Sequence, residues 1–536
     1  MFSRVKSRVL LISPSSNRFY VPTAPLGLSL IAGALPPEVE VRGLDLNVYK
    51  WVLGLDAQAA FAAIEQWFKN NARAGMAPDV VGITVYQETL EEAVTYAKLA
   101  RKYGATTVAG GIYPTLFPDD MPGVFDYLVR GDGVTAFPPL VDAIFWKRHG
   151  RERAEDWQIP GVFLWDRQNN RWLPGEEAVA SAHNGPLLPA RGIFDELNQG
   201  FRYFSARVMS SRGCPYGCSF CVNSELTARE WLPRPVDEVM DEVLNTLINS
   251  NISELCFSDD QFFGFCADHY RRAHEILRQI EGITRVRNLR INLQVRADHW
   301  LRALECEPGL VETLQAINGN FQDPNPETSI KIHGRPVRGV SLDIGVESNL
   351  QQRLDKFAKG LTVETNLAAI RKARELGLDL GVYMILFTPD LSLEQLREEF
   401  AIYNREVLQT EVFSKAAFYG FFQELVPYKG TRIYRELQAS GDLVEKGQFT
   451  GFRFRDPRVT VFYILYLDEL HRGLLDALAT GEELVARIQE LLEISALLGR
   501  LKTVEPVLEG VRCELRDVEE IKALRRRLVE FYNRIA

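Results

Sequence analysis

Three cysteines, Cys214, Cys218 and Cys221, stand within eight residues in the segment Ser211-Arg212-Gly213-Cys214-Pro215-Tyr216-Gly217-Cys218-Ser219-Phe220-Cys221. Spacings of four and three in a tight loop can bring three thiolates to three corners of a cubane iron-sulfur cluster. A fourth iron is then left without a cysteine, and chemistry can happen there. The competing reading is a zinc site of three cysteines and a histidine, which typically uses a CxxC knuckle and a distant second pair. No histidine lies within this loop, and the nearest downstream is His269. Cys256, Cys306 and Cys513 stand singly and read as inert buried side chains, whereas Cys266 follows a Gly-Phe turn after Asp260 and stays open.

A loop of this kind needs a scaffold, and the chain supplies two α/β alternations. At 536 residues it exceeds what one hydrophobic core usually serves, so two or three domains are expected. In the first, at 1–150, short β-branched runs at Val9–Ser13, Val39–Asp45, Val80–Thr84 and Thr106–Ala109 alternate with helical periodicity at Leu26–Leu35, Ala57–Asn70 and Leu90–Tyr103. This predicts a doubly wound, Rossmann-like parallel sheet with its ligand beyond the carboxyl ends of the strands. A proline- and glycine-punctuated connector follows at 151–204, with a hairpin expected at Val162–Trp172 around Asn169-Asn170.

The second alternation occupies 205–440. Strands are expected at Ala206–Ser210, Glu254–Phe257, Arg290–Val295, Gly339–Ile344, Leu380–Ile385 and Ala416–Phe422, with helices at Val236–Ser250, His269–Ile280, Thr362–Leu376 and Leu393–Leu408. Too few pairs are present for eight, so the expectation is a partial (β/α)6 TIM-type barrel with the cysteine loop after its first strand. Half of the aromatics Phe418, Tyr419, Phe421 and Phe422 should face the core and the rest a pocket. From 441 to 536 the strands largely stop, and amphipathic stretches at Ile464–Ala479, Glu482–Leu498 and Val518–Ile535 predict a helical domain.

Composition narrows the function classes. The chain is 46% hydrophobic and 25% charged, and no apolar run approaches the roughly 18 to 20 residues that span a bilayer. The start MFSRVKSRVLLIS lacks a small-residue cleavage site and reads as a first buried strand. A net charge of −9 gives no general basic footprint, so no nucleic-acid partner is expected. Seven cysteines are too few for a disulfide scaffold, and their clustering points to metal in a reducing, cytoplasmic compartment.

The CxxxCxxC loop, with Phe220 before its last cysteine, resembles the signature of the radical S-adenosylmethionine (SAM) superfamily. The resemblance implies a [4Fe-4S] cluster on Cys214, Cys218 and Cys221, SAM on the open iron, and one-electron cleavage to methionine and a 5'-deoxyadenosyl radical. Downstream segments resemble the rest of that core. In Phe257-Ser258-Asp259-Asp260-Gln261-Phe262, Asp259 or Asp260 is expected on the ammonium of SAM, and Arg296, after Asn292-Leu293-Gln294-Val295, on its carboxylate. Glu347, in Asp343-Ile344-Gly345-Val346-Glu347-Ser348, is expected near ribose or amino groups, and Phe220 beside the cofactor. Lys359-Gly360-Leu361-Thr362 resembles a K-x-x-T helix opening, with Thr362 readable as an N-cap. Gly381 to Asp390 departs from the family's G-x-P-x-E-T pattern, and Pro427 to Tyr434 resembles its P-G-T segment.

The first domain resembles the cobalamin-binding domain of B12-dependent radical enzymes. The matching pieces are Pro25-Leu26-Gly27 opening the first helix, Thr84 at a strand end, Gly110-Gly111-Ile112-Tyr113-Pro114, and Gly131-Asp132-Gly133. Glycines at strand ends let the backbone approach a bulky ligand closely. Where another cobalamin-domain type has D-x-H-x-x-G, this chain has Asp45-Leu46-Asn47, so no histidine lower ligand is implied from this loop. The resemblance implies methyl transfer from SAM through methylcobalamin to an unactivated carbon of a small-molecule, lipid or peptide substrate. Flavodoxin or ferredoxin is the implied electron donor. Rival readings are a non-methylating cyclase or rearrangement enzyme of the same organisation, a radical tRNA-modifying enzyme, and, from another class, an iron-sulfur electron carrier.

Overall fold

The computed structural model describes residues 7–15, 22–151, 158–175, 188–226, 229–333, 335–408, 418, 420–446, 449–478, 481–499 and 521–528. Contacts divide the chain into two compact units, Met1–Arg212 with Leu232–Ser258, and Gly213–Trp231 with Asp259–Ala536.

In the first unit, seven strands form one sheet in the order β2-β1-β3-β4-β5-β6-β7. They are β1 (Ser7–Ser13), β2 (Val39–Asp45), β3 (Val80–Thr84), β4 (Thr106–Gly110), β5 (Tyr127–Val129), β6 (Val162–Asp166) and β7 (Arg171–Pro174). The first five are parallel, and β6 and β7 run antiparallel. Both faces are covered, which is why β1 is apolar at consecutive positions. Leu10 and Ile12 pack with Ile64, Phe68 and Tyr96 on one side, and Val9 and Leu11 with Leu28, Leu140 and Ile144 on the other. The expected doubly wound sheet is therefore present, and the hairpin expected in the connector extends it. Asn170 turns that hairpin in the left-handed region at φ 49°.

Also in this unit, β8 (Ser205–Val208) pairs in parallel with β11 (Glu254–Phe257), and β9 (Ser211–Arg212) pairs antiparallel with β10 (Leu232–Pro233). The second unit holds β12 (Arg290–Val295), β13 (Val340–Glu347) and β14 (Asp379–Met384), paired in parallel in that order. Helices Ala297–Cys306 and Val363–Glu375 lie on the chain between them, the first beginning directly after the β12 strand end. Thr362 caps the second of these by accepting from Thr365 N at 3.1 Å, as the sequence suggested.

Among the described residues, no strand is found in the segment expected at Ala416–Phe422. Its described residues Phe418, Gly420 and Phe421 are helical, and the sixth position is reduced to a bridge between Phe387 and Glu424. An aromatic cluster explains the difference. Phe422 stacks on Tyr466 at 4.4 Å and Phe421 meets Tyr403 at 4.6 Å, so the described aromatics expected partly in a pocket, Phe418, Phe421 and Phe422, are all buried. Tyr419 and Cys513 lie outside the described residues. Beyond 441 the hairpin Leu443–Lys446 and Phe449–Phe452 was not anticipated, while helices Pro457–His471 and Gly481–Leu498 were, the first shifted toward the N-terminus.

Candidate functional site

The cysteine loop leaves Arg212 through Gly213, whose φ of 79° only glycine adopts without strain. Ser219 anchors its centre: its N donates to Phe357 O at 2.8 Å, its hydroxyl to Lys356 O at 3.0 Å, and its carbonyl accepts from Ile433 N at 3.0 Å. Phe220 turns edge-on to Phe357 at 5.5 Å. Cys214, Cys218 and Cys221 are half-buried. Burial pushes the Cys214 and Cys218 thiols up and the Cys221 thiol to about 11, and the charge of a neighbouring cysteine adds to the rise at Cys214 and at Cys221. Left alone, such thiols keep their protons; a cation must offset the desolvation, and iron does this in a cluster. Among the described residues no three His, Cys, Asp or Glu side chains converge on a single ion. A cubane takes each thiolate on a different iron, so the loop fits it without that convergence.

Four polar groups in the same unit stand by the loop. Asp260 reaches solvent and accepts from Asn223, yet the crowding loop and then Asp259 push its carboxyl up to about 6. Asp259 is fully buried, which leaves Asp260 as the accessible member of the pair. Arg296 is 7% exposed and its guanidinium lies over the Tyr216 ring, Cζ to centroid 3.8 Å. Its Nε donates to Asp298 Oδ1 at 2.9 Å and an NH2 donates to Lys359 O. Glu347 is buried in the left-handed region at φ 66°, where a β-bulge shifts the β13–β14 register. Its Oε1 accepts from Lys359 Nζ at 2.7 Å. A side chain at Gly345 would collide with both, its Cβ falling 2.6 Å from each. Lys359 and Arg296 in turn favour the Cys218 thiolate.

Glu347 is held in its unusual conformation from behind. Glu399, fully buried, accepts from Ser348 Oγ, from Asn349 N at 2.7 Å and from Arg353 NH1 at 2.9 Å. Arg353 also donates to Ile385 O at 3.1 Å. Backbone strain of this kind persists only where the surroundings over-determine it.

Sequence reading missed Lys359, Tyr216 and His299. In sequence Lys359 reads only as part of a helix opening; its pairing with Glu347 spans twelve positions. His299 stands singly in the sequence, and nothing local marks it.

In the first unit, Thr84, Gly110-Gly111 and Gly131 follow one another at the carboxyl ends of β3, β4 and β5, while Pro25-Leu26-Gly27 opens the helix after β1. These residues share the carboxyl edge, next to where the strand order reverses between β1 and β3. Gly111, at φ 103°, is exposed, and a Cβ there would lie 2.8 Å from Thr84 Oγ1. Gly27 is open, with nothing within 4 Å of a Cβ. Tyr113 N donates to Val85 O at 3.1 Å, Pro114 is buried, and Gly133 starts a helix against Ile31. Such a bare backbone edge fits a large flat ligand with a tail. Asn47 turns inward, donating to Asp45 Oδ1 at 2.9 Å and Pro14 O at 3.3 Å.

Comparison with known proteins finds family resemblances over the two regions that carry these residues. Residues 17–141 match the B12 binding domain and residues 208–401 the radical SAM superfamily. An uncharacterized methyltransferase of Pyrococcus horikoshii is 25% identical over 443 residues, covering 80% of this chain and 82% of that one. The anaerobic magnesium-protoporphyrin IX monomethyl ester cyclase of Rubrivivax gelatinosus is 23% identical over 74% of this chain and 64% of its own. Other curated relatives are mainly methyltransferases. The structure of the cobalamin-dependent S-adenosylmethionine radical enzyme OxsB, with aqua-cobalamin and S-adenosylmethionine bound, covers 98% of this chain and 80% of its own at a TM-score of 0.64 and 16% identity.

Proposed function

The chain belongs to the cobalamin-binding radical SAM enzymes, and from that premise we propose that it transfers a methyl group from SAM to an unactivated carbon. The observation that carries this is the presence on one chain of a glycine-lined carboxyl edge at a strand-order reversal and a three-cysteine loop backed by Arg296, Glu347 and Lys359. The cofactors are a [4Fe-4S] cluster, SAM and cobalamin; when bound, the cluster supplies one electron at an open iron and cobalamin carries the methyl group. No side-chain general base is required. Cys214, Cys218 and Cys221 would hold the cluster on the loop that Ser219 anchors. Asp260 accepts from the ammonium of SAM, Arg296 pairs with its carboxylate, and Glu347, fixed by Lys359 and the Glu399 network, faces its ribose or amino groups. Phe220 packs beside it. Pro25, Leu26, Gly27, Thr84, Gly110, Gly111, Tyr113, Pro114, Gly131 and Gly133 bound the cobalamin site. Asn47, committed to Asp45 and Pro14, stands in this loop where another cobalamin-domain type carries a histidine.

The substrate is a small molecule, with peptides and lipids as further classes. The electron donor is a flavodoxin or ferredoxin, and the setting is the cytoplasm. No helix among the described residues is long and apolar enough to cross a membrane. The test is an anaerobic incubation of the reconstituted protein with cobalamin, reductant, cell extract and SAM labelled in its methyl group. Methyltransfer predicts S-adenosylhomocysteine and 5'-deoxyadenosine rising together with label in a product. The cyclase named among the relatives supplies the second reading, and deoxyadenosine without S-adenosylhomocysteine would select it.

A further inference from the structure

His299 is 2% exposed, and both of its ring nitrogens are engaged by tyrosines. Tyr216 OH meets Nε2, and Tyr270 OH meets Nδ1 at 2.8 Å. The two tyrosines have different standing. Tyr270 is buried in the helix Ala267–Thr284, a structural position. Tyr216 is half-buried inside the cysteine loop, between Cys214 and Cys218, and its ring is the platform on which the Arg296 guanidinium lies. His299 and Arg296 flank one helix start. Asp298 between them accepts both Arg296 Nε at 2.9 Å and His299 N at 3.0 Å. Arg296 N donates to Gln261 Oε1 at 3.1 Å, which ties the same corner to the segment that carries Asp260.

We propose that His299 is a positioning residue for SAM: through its Nε2 it fixes the Tyr216 ring, and the ring fixes the plane of the Arg296 guanidinium that receives the carboxylate. A planar fork recognises a carboxylate only in its own plane, so rotation of the platform costs affinity without removing a contact. A neutral imidazole suits this place, because it can accept from one hydroxyl while donating to the other. It also adds no charge beside Arg296, whereas an imidazolium would repel it; Asp298, Arg296, Arg302 and His269 are the charged or titratable groups that act on the ring. The inference rests on the SAM reading of the site.

Two amides separate the arms of the imidazole. Glutamine places its terminal group where Nε2 stands and preserves the Tyr216 arm. Asparagine places it where Nδ1 stands and preserves only the Tyr270 arm. The experiment measures equilibrium binding of SAM by calorimetry to the anaerobically reconstituted full chain, together with iron content and the resonance of the reduced cluster with and without SAM. Expected are full iron content in all variants, Kd raised about tenfold in His299→Asn and Tyr216→Phe, and Kd within a few-fold of the parent in His299→Gln and Tyr270→Phe. The SAM-induced change in the resonance should be altered in the first pair only. Should His299→Asn fail to fold, Tyr216→Phe at its half-buried position still decides. Equal losses in His299→Gln and His299→Asn, or parental affinity in Tyr216→Phe, would overturn the proposal. A parent chain that holds its cluster and does not bind SAM would overturn the reading beneath it.

Discussion

Removing Glu399 should damage this protein more than removing it together with its partner. In Glu399→Ala the Arg353 guanidinium, whose side chain is 3% exposed, stays buried without its counter-charge. Breaking such a pair costs about 3–5 kcal/mol. Ser348 Oγ and Asn349 N lose an acceptor as well, each adding about 1 kcal/mol. Burial already works against both charges, pushing the Glu399 carboxyl up and the Arg353 guanidinium down. An apolar pair of similar volume, Arg353→Met with Glu399→Leu, therefore should recover most of the loss. The assay is urea unfolding of the three proteins, each monitored by far-UV circular dichroism and tryptophan fluorescence, with the shared transition compared. A loss below about 1 kcal/mol in Glu399→Ala, or a double variant less stable than the single one, would refute the reasoning. The same variants report on Glu347, since Ser348 and Asn349 are what hold its left-handed backbone.

Further outcomes follow from individual groups. Because the Asp260 carboxyl sits near 6, SAM binding through its ionised form should weaken several-fold as pH falls from 7 to 5, a dependence that calorimetry should find absent in Asp260→Asn. Burial lowers His299 to about 4 from its ordinary 6.5, so the neutral ring's contribution to stability is complete above pH 6.5 and is lost as pH falls toward 4. That slope amounts to about 1 kcal/mol per pH unit and should vanish from denaturation curves of His299→Gln. Gly111→Ala, at φ 103° with its Cβ 2.8 Å from Thr84 Oγ1, should destabilise the first unit by about 2 kcal/mol and reduce bound cobalamin read by absorbance.

Most of the first sheet was legible because its strands carry apolar residues at consecutive positions. Val9 to Ile12 can satisfy two cores only as a strand buried on both faces. The cysteine loop was equally plain, since its chemistry lies in local spacing. Ala416 to Phe422 failed for the opposite reason: a short apolar run fits a strand and a buried helix alike. Contacts with Tyr403 and Tyr466, remote in sequence, decide between them. At the site, residue types at strand ends pointed to Arg296 and Glu347, but Lys359 and His299 are placed by side-chain contacts that no periodicity encodes. Asp259 and Asp260 looked equivalent in sequence, and only burial separates them.

The most direct test of the account is single-turnover formation of 5'-deoxyadenosine by the reconstituted chain and its Cys218→Ala variant, with iron and sulfide counted in both. About four irons and four sulfides per chain are expected in the parent, with reductive release of deoxyadenosine from SAM, and loss of both cluster and product in the variant. A parent that holds a complete cluster and releases no deoxyadenosine, or a variant that still releases it, would contradict the assignment of Cys214, Cys218 and Cys221 to a SAM-cleaving centre.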